Sequence, residues 1–169
     1  TPTFEMKFHT IRMRRADFTA RYPNDRVRRR RPGLPCFFEW LRRSYPDQVA
    51  IYIGFNNELA HRIEAGADIF LMPSLFEPCG LNQIYSLKYG TLPIVRLTGG
   101  LADTIADGVN GFTFFDFTAH DLFDAVQRAI DVYRKHPDRW KQMMITARGQ
   151  DFSWEKSAEK YLAVYSTTL

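Results

Sequence analysis

Cysteine is almost absent: Cys36 and Cys79 are the only two in 169 residues. They stand far apart and without the paired spacing of a metal or redox motif, which argues against a disulfide scaffold and for a reducing, cytoplasmic setting. Long apolar runs are missing too. None approaches the roughly 20 residues that a membrane-spanning helix needs, and Thr1 to Arg30 carries no apolar leader core, so no membrane partner is expected. His61 has no Cys, His or carboxylate at ligand spacing, so no metal site is expected either.

Acidic residues are scarce only at the front. Before Cys36 the chain carries Lys7, Arg12, Arg14, Arg15, Arg21, Arg26 and Arg28 to Arg31 against Glu5, Asp17 and Asp25. The net charge of +4 therefore belongs to this segment, and the remainder is mildly acidic. Met6 to Met13 offers some alternation for a weak strand, but residues 17–35 keep no sustained period and end in Arg, Pro and Gly. Residues 1–35 thus read as an atypical Arg-rich leader and 36–169 as one folded domain. The run Arg28 to Arg31 suits a polyanion, yet such runs are more often solvated tails, so nucleic-acid binding is not expected.

What the chain does have is concentrated between Ile69 and Thr104. The apolar runs Ile69-Phe70-Leu71-Met72 and Pro93-Ile94-Val95 are of strand length, and each leads into a loop that contains glycine. Leu81 to Tyr89 fits about two helical turns, with Ile84, Leu87 and Lys88 along one side and Gly90 as the stop. This is one βαβ unit of a parallel sheet, whose ligands gather beyond the carboxyl ends of the strands. The loops expected there are Ser74 to Leu81 and Thr98 to Leu101. In the first, Glu77 precedes Gly80, where a missing side chain lets a ligand approach the backbone. N–H groups at Gly80, Leu81 and Asn82 then open a helix, a site suited to phosphate or sugar oxygens.

The residues Glu77-Pro78-Cys79-Gly80-Leu81-Asn82-Gln83, Tyr89-Gly90-Thr91-Leu92-Pro93-Ile94-Val95-Arg96 and Thr98-Gly99-Gly100-Leu101-Ala102-Asp103-Thr104 resemble the bacterial glycogen synthase and plant starch synthase family. The likeness runs from about Phe37 to about Tyr165. It implies an α/β fold with a doubly wound parallel sheet, the incomplete Rossmann-like C-terminal half of a two-domain GT-B glycosyltransferase. It further implies retaining transfer of glucose from ADP-glucose to the non-reducing end of an α-1,4-glucan, without a metal ion or other cofactor. By this resemblance Glu77 is the catalytic residue that orients the sugar. Cys79, Gly80, Leu81, Asn82, Thr98, Gly99 and Gly100 surround the sugar diphosphate, and Phe55 lies near the adenine. Residue type alone allows Phe55 to be core just as well. Many related retaining enzymes have a second carboxylate eight positions after the first; Tyr85 stands there, so a carboxylate pair is not supported.

The acceptor-binding N-terminal domain and the basic loop expected at the start of such a domain are not found in these residues. The resemblance therefore implies a piece of an enzyme with weak ADP binding and no turnover alone. A non-catalytic nucleotide-binding module, or a polyanion-binding protein acting through the Arg-rich leader, are the alternatives.

Around this centre, Phe37, Phe38, Trp40, Leu41 and Tyr45 predict a packing helix that stops at Pro46. Val49 to Ile53 predicts a strand ending at Gly54. Asn56 or Asn57 caps a helix with the stripe Leu59, Ala60 and Ile63 and a stop at Gly66. Asp103 and Thr104 are placed to initiate a short helix, and Phe112 to Phe114 is the last strand. Thr118 to Asp121 resembles a capping box for a helix with Leu122, Ala125, Val126, Ala129, Ile130 and Tyr133 on one face. Pro137 opens a helix carrying Trp140, Met143, Met144 and Ala147. Trp154, Ala158, Tyr161, Leu162 and Tyr165 form a terminal helical stripe read as core, part of which is left exposed if it belongs to a partner domain.

Overall fold

The computed structural model describes residues 34–168. The weak strand expected near Met13 and the arginine run at 28–31 lie outside the described residues. Three short apolar runs become β1 (Ile69–Met72), β2 (Leu92–Arg96) and β3 (Phe112–Phe114), a parallel sheet in that order. Ile69 pairs with Leu92 and Met72 with Val95, and Ile94 pairs with Phe112 and Arg96 with Phe114. Phe70, Leu92, Ile94, Val95, Phe112 and Phe114 are buried, as continuous apolar runs in a covered parallel sheet must be.

Helices α1 (Leu34–Ser44) and α2 (Asn57–Gly66) precede the sheet. Helix α3 (Asn82–Tyr89) carries the chain from β1 to β2, and the short α4 (Gly100–Thr104) from β2 to β3. Helices α5 (Ala119–Lys135), α6 (Pro137–Gly149) and α7 (Trp154–Thr168) follow. Helix α5 packs on β3 and β2, and α6 packs on α3, α5 and β2. Ala125, Ala129, Val132, Trp140, Met143 and Ala147 thereby join the sheet in one core.

The local signals for helix ends act as their chemistry dictates. Asn56 accepts the Leu59 N–H at 2.9 Å, and Thr118 Oγ1 accepts the Asp121 N–H at 3.1 Å. Gly90, at φ 82°, ends α3 in a Schellman turn. Its N–H donates to Leu87 O at 3.0 Å and the Thr91 N–H to Ser86 O at 2.9 Å.

Five expectations need correction. Val49 to Ile53 is not a strand: among the described residues nothing pairs along the outer edge of β1, and without a ladder partner Ala50, Tyr52 and Ile53 lie exposed. The buried side of α3 is Gln83, Ser86 and Leu87, whereas Lys88 is exposed and donates to Gln150 O at 2.8 Å. Helix α4 already begins at Gly100, so Asp103 sits in its first turn and Thr104 ends it instead of either one initiating it. The stripe on α7 is not core: Trp154 is 85% exposed, and Tyr161, Leu162 and Tyr165 are also exposed, because α7 does not pack extensively on any other described element. Helix α1 packs less than expected. Its Trp40 is exposed, and its aromatic rings meet one another, Phe37 with Trp40 at 6.0 Å between centroids. Among the described residues no helix is long and apolar enough to cross a membrane.

Candidate functional site: the cleft at the sheet's carboxyl end

Beyond the carboxyl ends of the strands, the loops after β1 and β3 and the segment leading into α2 enclose a cleft of about 1270 Å³. Phe55, Glu77, Pro78, Gly80, Leu81 and Asn82 all line it. Phe55 is 79% exposed there, which separates it from the core. Glu77 is half-buried, and its carboxylate has no ion pair or side-chain hydrogen bond among the described residues. A carboxylate so placed can accept hydroxyl donors from a ligand.

The helix start faces the same space. Gly80 holds φ at 74°, a region that L side chains resist, and thereby turns the chain into α3. The helical ladder opens with the Tyr85 N–H donating to Leu81 O at 2.9 Å. The N–H groups of Gly80, Leu81 and Asn82 precede it and have no intrahelical acceptor, so α3 presents donors and the positive end of its dipole to the cleft.

Thr98, Gly99 and Gly100 do not line the cleft; Gly99 and Gly100 support the loop from behind. The Gly100 N–H donates to Glu77 O at 3.2 Å and Pro78 O at 3.1 Å. A Cβ at Gly99 would strike Glu77 O, and one at Gly100 would strike Cys79 O. Two consecutive residues without side chains therefore let the two loops pack backbone to backbone. Cys79 is exposed and free, and its carbonyl, not its thiol, is tied into this assembly.

Two residues escaped the sequence reading. Gln83 was visible only as part of the motif, with no chemistry of its own. It is 0% exposed, and its Nε2 donates to Cys79 O at 3.0 Å and Gly80 O at 3.1 Å, with Thr104 Oγ1 at 3.4 Å. Arg96, at the end of β2, donates to Ser74 O at 3.1 Å, Leu75 O at 2.7 Å and Phe115 O at 3.4 Å. It also lies 5.8 Å from the Phe117 ring centroid, so one guanidinium binds the loops after β1 and β3 together. A cation closing an apolar strand was its only signal. Tyr85 lines the cleft beside His61, whose Nδ1 lies 3.2 Å from Tyr89 Oη. Among the described residues no group of three or more His, Cys, Asp or Glu is placed to hold a metal ion.

Comparison with known proteins bears on this geometry. The chain is 52% identical over 140 residues to a glycogen synthase of Bacillus cereus (strain Q1), covering 79% of this chain and 29% of that protein. It is 55% identical over 143 residues to a glycogen synthase of Anaeromyxobacter sp. (strain K), covering 80% of this chain and 30% of that one. It thus spans under a third of the length of these relatives. Among solved structures, the catalytic domain of Starch Synthase IV from Arabidopsis thaliana, bound to ADP and acarbose, superposes with a TM-score of 0.69 at 34% identity, over 78% of this chain and 29% of that one. The sequence model of the glycosyl transferases group 1 family matches residues 42–145, and the chain belongs to that family.

Proposed function

We propose that this chain forms the sugar-nucleotide half of a cytoplasmic ADP-glucose-dependent glucosyltransferase of the glycogen or starch synthase type. In this reading glucose passes with retention to the non-reducing end of an α-1,4-glucan, held by a further domain of the kind that its longer relatives have room for. The observation that carries the reading is one cleft combining three kinds of group: N–H groups at the start of α3 and a Glu77 carboxylate, both unpaired among the described residues, and the exposed Phe55 ring. Diphosphate, sugar and base need these three kinds of partner.

The chemistry follows from their placement. As the glycosidic bond to the diphosphate breaks, positive charge grows at the anomeric carbon and negative charge on the β-phosphate. The N–H groups of Gly80, Leu81 and Asn82 stabilise the departing phosphate, and donors already held by a folded loop need no reorganisation as charge develops. Glu77 accepts the glucose hydroxyls, and its negative charge steadies the positive charge growing at the anomeric carbon. Phe55 stacks on the adenine. Gly99 and Gly100 act indirectly by holding Glu77 to Cys79 in place.

Equilibrium binding of ADP-glucose and ADP to the chain and to Glu77→Ala tests the assignment. The expected result is loss of most of the preference for ADP-glucose over ADP on substitution, with ADP affinity nearly kept. Equal losses for both ligands, or no binding of either by the unsubstituted chain, would contradict it.

A further inference from the structure

Gln83 Oε1 accepts no hydrogen bond from the described residues, although it is wholly buried. An amide placed to fill space would cost stability here, since a buried polar atom without a partner is unfavourable. Its other end explains its presence. The single Nε2 is directed at two successive carbonyls, those of Cys79 and Gly80, and reaches Thr104 Oγ1 as well. Thr104 Oγ1 itself donates to Gly100 O at 2.7 Å, which links this amide to the helix behind the loop.

The consequence lies in peptide geometry. No peptide bond of the described residues is cis, and a trans peptide sets its N–H opposite its C=O. Drawing the Cys79 and Gly80 carbonyls inward onto Gln83 therefore turns the N–H groups of Gly80 and Leu81 outward, towards the cleft that both residues line. Gly80 is matched to the same arrangement. The side of its Cα that would carry a side chain faces Gln83, and a Cβ there would strike Oε1.

We infer that Gln83 is a positioning residue for anion recognition: from the buried side of α3 it orients the two backbone donors that receive the diphosphate. This rests on the reading of the cleft as a sugar-diphosphate site. Gln83→Glu keeps size and shape but sets a carboxylate against two carbonyls, which favours rotation of these peptides away from the productive orientation. Gln83→Met keeps the volume and removes all three hydrogen bonds that Nε2 donates without adding charge.

Amide-resolved NMR titration of the full chain with ADP and with adenosine tests this, because it detects weak binding and checks the fold in the same spectra. The unsubstituted chain is expected to show ADP-dependent shifts at Gly80, Leu81 and Asn82. In both variants ADP affinity falls by about ten- to a hundred-fold, while adenosine affinity stays within about two-fold and the amides of Ile94, Val95 and Phe112 do not move. ADP binding unchanged in the variants, or equal losses for ADP and adenosine, would overturn the positioning role. Should Gln83→Glu fail to fold, Gln83→Met decides; unfolding of both makes Gln83 a structural residue and overturns the inference. Absence of ADP-dependent shifts in the unsubstituted chain overturns the site reading itself, an outcome distinct from the others.

Discussion

Replacing Gly100 by alanine adds one carbon at the point where two loops meet. That carbon would lie 2.7 Å from Cys79 Cα and 2.9 Å from Cys79 C, and closer still to Cys79 O. All three atoms are backbone, so no rotamer change relieves the contact and the loop carrying Glu77 must move. Overpacking of this kind costs about 1–3 kcal/mol. Separating the loops also weakens the Gly100 N–H hydrogen bonds to Glu77 and Pro78, worth about 1 kcal/mol. In the opposite direction, alanine restricts the unfolded chain by about 0.4–1 kcal/mol. The net expectation is a loss of about 1–3 kcal/mol. With a urea slope of about 2 kcal/mol/M, the unfolding midpoint falls by about 0.5–1.5 M. Gly66→Ala is the control, since a Cβ there meets nothing within 4 Å and its helix gains from alanine. Its midpoint is expected to rise. Gly100→Ala unfolding at or above the Gly66→Ala midpoint would refute the reasoning.

Phe55→Ala is expected to leave stability within about 0.5 kcal/mol, because the ring is exposed, and to weaken ADP without weakening inorganic pyrophosphate; base stacking is worth about 1–3 kcal/mol. Leu87→Ala, fully buried between α3 and the sheet, is expected to cost about 2–5 kcal/mol in urea unfolding. The Asp121 carboxyl is held below its usual 3.8 by the Thr118 hydroxyl and then by the Asp116 N–H. Its folded value lies below its unfolded one, so it contributes stability above pH 3.8 that is lost as pH falls through the folded value. The stability gap between the unsubstituted chain and Asp121→Asn should therefore narrow on acidification below that point. Trp154→Ser on α7 is expected to leave the unfolding midpoint unchanged, given that its ring is exposed.

The central βαβ unit was legible because its signals are local. An apolar run of strand length and a glycine at a left-handed position each act within a few residues, and β1, α3, β2 and β3 follow from them. Val49 to Ile53 misled for the opposite reason, since β-branched alternation gives a segment that can pair but says nothing of a partner. The aromatic stripe of α7 has correct helical spacing, yet spacing identifies a face without supplying what covers it. Within the cleft, Glu77 and Gly80 stood out by residue type, whereas Phe55 was singled out only by the family resemblance, since its type suits a core equally well. Gln83 and Arg96 did not stand out, because their roles consist of hydrogen bonds to carbonyls that only the folded loops bring within reach. Gly99 and Gly100 were legible as glycines on a loop after a strand, but their contact with the backbone of Glu77 to Cys79 depends on the approach of a second loop.

The most direct test of the central claim is a crystal structure of the chain with ADP-glucose. The account predicts diphosphate oxygens within hydrogen-bond distance of the Gly80, Leu81 and Asn82 N–H groups, the glucose beside Glu77 and the adenine over Phe55. A nucleotide bound elsewhere, or one whose phosphates lie away from the start of α3, would contradict it.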